Sequence, residues 1–75
     1  MQELTHEKFQ LASEYITLGN LLKICGVADT GGVAKLMIMG GEIEVDGRIE
    51  TRRGCKIRVG QRVSGYGFMI DVIEA

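Results

Sequence analysis

The Asp46-Gly47 pair leaves this chain the fewest options. It stands between Ile43-Glu44-Val45 and Arg48-Ile49-Glu50, two runs in which apolar and charged residues alternate, and Asp-Gly in that setting is the strongest short signal for a β-hairpin. Just upstream, Gly40-Gly41 can supply the left-handed residues that end a helix. Thr30 is a candidate N-cap for that helix, with Val33, Leu36, Met37 and Gly40 at helical spacing behind it. A short helix, a glycine stop, a hairpin and a basic loop therefore follow one another between Thr30 and Lys56.

Two registers are open to the hairpin. A plain two-residue loop sets Val45 opposite Arg48 and Ile43 opposite Glu50, so that each apolar residue faces a charge. A bulged three-residue loop, with Gly47 as its left-handed residue, sets Ile43 opposite Ile49 and Glu44 opposite Arg48. Cross-strand pairing favours the bulged form, with Ile43 and Ile49 toward the core and Arg48 beside Glu44 near the tip.

At 75 residues the chain is expected to form one domain over 1–75 with a small core. An apolar fraction of 45% is that of an ordinary globular protein, which argues against disorder. With two Phe, two Tyr and no Trp, a sheet that stacks bases on aromatic rings is not expected. Residues 1–6 carry no pattern and read as a frayed start. No apolar run approaches the roughly 18 residues of a membrane span, so the expected location is the cytoplasm. Cys25 and Cys55 are too few for a disulfide framework. With His6 as the one histidine there is no zinc spacing, so neither a metal nor a cofactor is expected and both cysteines read as plain thiols.

Elsewhere the pattern is simpler. Leu18, Leu21, Leu22 and Cys25 form one apolar stripe of a first helix, with Thr17 as its cap, Ile16 stapled to Leu21 and Gly26 as its stop. Residues 7–12 read as a strand at a sheet edge with Phe9 and Leu11 on one side. Lys56-Ile57-Arg58-Val59 alternates with Ile57 and Val59 inward, Arg62-Val63-Ser64 begins another strand, and Phe68, Ile70 and Val72 share a face of the last one. The fold class is α+β: two short helices, burying Leu21, Leu22 and Leu36, packed on a small, mostly antiparallel sheet of four or five strands. Met37 and Met39 read as fillers at the core and its edge.

Catalytic constellations are not evident. A nucleophile needs a base within reach, and His6 is far in sequence from both cysteines and every serine. Charge is more informative. Net charge is −1, yet residues 48–62 hold Arg48, Arg52, Arg53, Lys56, Arg58 and Arg62 against Glu50 alone, the footprint of a polyanion site. Arg52-Arg53-Gly54-Cys55-Lys56 is its densest part, and two adjacent guanidinium forks suit phosphate oxygens. The plain alternative is a solvated loop with Arg52 paired to Glu50. Lys35 should be exposed beside the apolar positions of the second helix. Gly31 and Gly32, after Thr30, leave first-turn N–H groups open to an anion. Lys23, Arg58 and Arg62 are weaker candidates.

These residues carry a resemblance. Residues 17–63 are similar to the αL-motif RNA-binding domain of ribosomal small-subunit protein four, some pseudouridine synthases and tyrosyl-tRNA synthetases. Gly41-Glu42-Ile43-Glu44-Val45-Asp46-Gly47 matches that family's central segment, and Lys56-Ile57-Arg58-Val59-Gly60-Gln61-Arg62-Val63 its ending. Within it the chain resembles the small stand-alone bacterial proteins of the YbcJ and YaaA type, through Thr30-Gly31-Gly32 and the Thr51, Arg52, Arg53 and Lys56 loop. It departs from the family at Thr17, Leu18, Gly31 and Gly32, where many members carry arginines.

The resemblance implies a non-catalytic protein that binds structured RNA, ribosomal or transfer RNA, with a place in ribosome assembly or rescue and ribosomal particles as partners. Lys35, Arg48, Arg52, Arg53 and Lys56 would then contact phosphates, joined by Thr30, Gly31 and Gly32, with no small-molecule substrate and no membrane. The alternative is a protein-interaction module that docks an acidic partner or pairs through residues 7–12 or 68–73 as edge strands.

Overall fold

In the computed structural model, which describes residues 4–75, the elements run β1 (Thr5–Leu11), β2 (Ile16–Thr17), α1 (Leu18–Ile24), α2 (Gly31–Met39), β3 (Glu44–Val45), β4 (Arg48–Ile49), β5 (Lys56–Ile57), β6 (Arg62–Gly65) and β7 (Phe68–Glu74). One sheet has the order β1-β7-β6-β3-β4, antiparallel except for β1 alongside β7, and β2 pairs with β5 in a small second ladder. The fold is the expected α+β arrangement of two helices against a mostly antiparallel sheet.

Both helices end by the same device. Gly26 and Gly41 adopt left-handed conformations at φ 77° and 76°. The next two N–H groups then reach back: Gly26 to Lys23 O and Val27 to Leu22 O after α1, Gly41 to Ile38 O and Glu42 to Met37 O after α2. This satisfies carbonyls that a helix end otherwise leaves open. Gly40 stays right-handed, so one glycine of the pair does the turning.

The core joins Leu18, Leu21 and Leu22 of α1, Ala34 and Ile38 of α2, Ile43, Ile57, Val63, and Phe68, Ile70 and Val72 of β7. Phe9 and Leu11 pack onto it from β1. The face that α2 buries differs from the one expected. Val33, Leu36 and Met39 are exposed, Leu36 at 71%, while Ala34 and Ile38 are buried. The segment is apolar nearly all round, so spacing does not choose its inward face, and close approach to α1 selects the small Ala34.

The hairpin takes the plain register: Glu44 faces Ile49, and Val45, not Glu44, faces Arg48. Asp46 and Gly47 both lie in the left-handed region, φ 52° and 84°, as a two-residue type I′ turn requires. The cause is the other edge of β3, where β6 pairs Val45 with Val63 and Glu44 with Ser64. Asp46 donates its N–H to Arg62 O at 2.8 Å. Its carboxylate accepts from Arg62 N–H at 2.9 Å and from the Gln61 amide at 3.1 Å. Two bonds to Arg62 of β6 and one to the preceding Gln61 outweigh the gain from setting Ile43 against Ile49. Ile43 is buried as expected, but Ile49 is 65% exposed.

Other expectations shift too. Val59 faces outward rather than inward. Of residues 1–6, the first three lie outside the described residues, while Thr5 and His6 open β1, His6 bonded to Asp71 at 2.7 Å. Strand β7 is no edge, since β1 covers one side of it and β6 the other, so residues 68–73 cannot accept a partner strand. The edges of the five-stranded sheet are β1 and β4. Among the described residues no helix is long and apolar enough to cross a membrane.

Candidate nucleic-acid interface

Arg53 and Gly54 form the centre of a turn closed by the Cys55 N–H on Arg52 O at 3.1 Å. This loop is fixed to the start of α1: Leu18 N–H donates to Cys55 O at 2.9 Å and Gly19 N–H to Arg53 O at 3.0 Å. Thr17 holds the N-cap position but makes no side-chain cap bond, contrary to its expected role, and loop carbonyls accept from the Leu18 and Gly19 N–H groups instead. The Thr30 hydroxyl, in contrast, does cap α2, accepting from Val33 N–H at 3.1 Å.

The docked loop lies beside the starts of both helices. A depression of about 280 Å³ is lined by Thr17, Gly19, Asn20, Gly31, Arg53 and Gly54. Gly31 opens α2 there with nothing within 4 Å of a Cβ position, and Gly32 follows with only the Thr30 hydroxyl near. Lys35 is exposed four residues beyond Gly31, hence on the same side of the helix one turn along. A neighbouring depression is lined by Arg52, Gly54, Cys55 and Lys56, and the next joins Arg48 to Glu50 and Cys55. Cys55 and Gly54 each line two of these depressions, so Arg48, Arg52, Lys56 and Arg53 border a connected series of hollows that reaches Gly31.

Ion pairing sorts the cations. Arg52 pairs side-on with Glu50, Nε to Oε2 at 3.0 Å and Nη2 to Oε1 at 3.2 Å, and Arg52 N–H also donates to Oε2 at 3.0 Å. The guanidinium and that backbone N–H hold the Glu50 carboxyl down at about 2, and the same bonds raise the pKa of Arg52. Arg58 reaches Glu14 at 3.3 Å, and Arg62 binds Asp71 at 2.6 Å, away from the loop. Among the described residues Lys23, Lys35, Arg48, Arg53 and Lys56 form no ion pair with a carboxylate. Lys23 lies in the last turn of α1, at the far end from the loop.

Tyr15, Gly19 and Asn20 join the site without having been singled out. Tyr15 lies 4.8 Å from Lys56 Nζ and 5.7 Å from Arg58 Cζ, measured from its ring centroid, so an aromatic face steadies the loop's last lysine. An aromatic among the polar residues Ser13 and Glu14 was the available signal. Gly19 and Asn20 offered none, being ordinary first-turn helix residues. A separate depression of about 260 Å³ near Glu7, Cys25 and Phe68 contains no cation. Burial and the nearby Glu7 push the Cys25 thiol up to about 11. Among the described residues no group of three or more His, Cys, Asp or Glu side chains could hold a metal ion.

YbcJ of Escherichia coli (strain K12) is 42% identical over 59 residues, 79% of this chain and 84% of that protein. A Bacillus subtilis (strain 168) protein named "Probable ribosome maturation protein RlbA" is 41% identical over 56 residues, 75% of this chain and 79% of that one. The solution structure of E. coli YbcJ, described as revealing an αL motif involved in RNA binding, matches at a TM-score of 0.64 and 36% identity, covering 97% of this chain and 91% of that one. The S4 domain family model matches residues 9–73. This chain belongs to the S4 domain family.

Proposed function

We propose that the chain is a non-catalytic RNA-binding protein that takes structured RNA on the surface running from Arg48 through the 52–56 loop to Gly31 and Lys35. The observation that carries this reading is the docking of the basic loop on α1. It sets unpaired cations beside the open first turn of α2 on a frame that does not have to be ordered on binding. Arg53, Lys56, Arg48 and Lys35 contact phosphates, Arg52 joins them through its exposed edge, and the Gly31 and Gly32 amides take a further oxygen. Thr30 holds that turn in place. Such contacts read backbone shape more than base identity. The weaker candidates separate: Arg58 borders the loop through Tyr15, whereas Lys23 and Arg62 are solvated surface. Ribosomal RNA in the cytoplasm is the favoured target, since a relative is named for ribosome maturation.

Titration of labelled ribosomal RNA fragments tests this, comparing the wild type with Arg52→Ala/Arg53→Ala at two salt concentrations after circular dichroism has shown both folded. With about four to six phosphates contacted, log affinity falls with log salt at a slope of roughly 0.7 to 0.9 per contact, and the variant binds more weakly with a smaller slope. Salt-independent binding, or equal behaviour of the two proteins, overturns the assignment.

A further inference from the structure

Glu50 is an acid at the centre of a basic surface, and electrostatics alone would give it the role of weakening anion binding there. Its geometry argues otherwise. In the plain hairpin register Glu50 lies opposite Ile43, with its N–H bonded to Ile43 O at 2.9 Å, so its side chain shares the face on which Ile43 is fully buried. The carboxylate is correspondingly tucked in, its side chain 17% exposed, while the Arg52 side chain it holds is 78% exposed. An anion arriving from solvent therefore meets the guanidinium first.

The pairing also leaves the right atoms open. Glu50 occupies the Nε and Nη2 edge of Arg52 and accepts the Arg52 N–H as well, which fixes the side chain relative to its own backbone. Nη1 has no partner among the described residues, and the side chain that carries it is 78% exposed. A long arginine side chain held this way has little rotamer freedom left to lose when a phosphate binds.

We infer that Glu50 is a positioning residue for the RNA site, its carboxylate holding the Arg52 guanidinium so that the Nη1 edge is presented to a phosphate. The inference rests on the RNA-binding reading above. It predicts a sign opposite to that of simple charge. Glu50→Gln adds positive charge to the surface and keeps an amide oxygen for the Arg52 N–H, but turns an NH₂ group on the guanidinium or releases it.

The experiment measures affinity for a labelled ribosomal RNA fragment at two salt concentrations for wild type, Glu50→Gln, Arg52→Ala and the double variant, with folding checked by circular dichroism. The expected result is binding about two- to tenfold weaker in Glu50→Gln, the cost of ordering one long side chain on association. That loss disappears in the Arg52→Ala background, which a general structural role for Glu50 would not produce. Equal or tighter binding by Glu50→Gln overturns the inference while leaving the RNA reading intact. Absence of salt-dependent binding by the wild type overturns both. Should Glu50→Gln fail to fold, Arg52→Lys decides: it keeps the charge but cannot pair side-on and still present a second edge, so it must bind more weakly than wild type at unchanged salt slope, and equal affinity overturns the inference.

Discussion

The Gly19 N–H donates to the Arg53 carbonyl at 3.0 Å, and through this bond the first turn of α1 and the basic loop hold each other. The helix gains an acceptor for an end that no side chain caps, and the loop gains a rigid support. A methyl group is tolerated at this point: a Cβ on Gly19 would lie 3.5 Å from Arg53 O and 3.6 Å from Arg53 Cβ, ordinary contact distances. Alanine is favoured over glycine within a helix by about 0.5–1 kcal/mol. Gly19→Ala is therefore expected to raise the stability measured by urea unfolding by that amount. A lower stability would mean that the loop cannot keep its place against even one added methyl.

Thr30 provides the corresponding cap for α2, and here the side chain does the work. Replacing it by alanine leaves the Val33 N–H to water and removes the acceptor, at a cost of about 1 kcal/mol. Thr30→Ser keeps the hydroxyl and should unfold close to the wild-type urea midpoint. Equal losses in the two variants would show that the β-branched methyl, and not the hydrogen bond, matters at this position.

Gly65 stands where the sheet has no room. A Cβ there would come within 2.5 Å of the Phe68 ring and 2.9 Å of Glu42 O, and the second neighbour is backbone that cannot rotate aside. Gly65→Ala is expected to cost about 1–3 kcal/mol, the range for overpacking, with the loss read from the urea midpoint. A near-neutral effect would mean that β6 can shift away from the segment carrying Glu42.

Local signals were legible in the sequence and distant ones were not. Thr30, Gly26 and Gly41 each act within a turn of their own position, so the α2 cap and both helix stops could be read directly, whereas Thr17 was read as a cap it does not make. The inward face of α2 could not, because Val33, Leu36, Met37 and Ile38 surround the helix with apolar groups. The hairpin register was decided by bonds from Asp46 to Gln61 and Arg62, partners remote in sequence that cross-strand pairing rules do not consider. That register then turned Glu50 toward the Ile43 face and Ile49 toward solvent. The basic loop itself was legible from its composition, as was the pairing of Arg52 with Glu50. The contribution of Gly19, Asn20 and Tyr15 was not, since it depends on how the loop docks. The parallel pairing of β1 with β7 was equally hidden, because it joins opposite ends of the chain.

Acid should reveal the two strongest ion pairs. The Glu50 carboxyl is lowered from 4.5 to about 2 by hydrogen bonds from Arg52, and Asp71 from 3.8 to about 2 by Arg62 and then His6. Each group binds fewer protons in the folded chain than in the unfolded one, so the stability it contributes is present above its unfolded value and is lost as pH falls toward about 2. Urea midpoints are expected to be nearly level above about pH 5 and to decline from about 4.5 downward. The double variant Glu50→Gln/Asp71→Asn should start from a lower midpoint at pH 7 and fall less steeply over that acid interval. The cation of each pair is well exposed, Arg52 at 78% and Arg62 at 51%, so added salt should weaken the contribution of each pair and narrow the gap between wild type and variant. Parallel declines in the two proteins would mean that other carboxyls govern acid unfolding and that these pairs serve chiefly to orient Arg52 and Arg62.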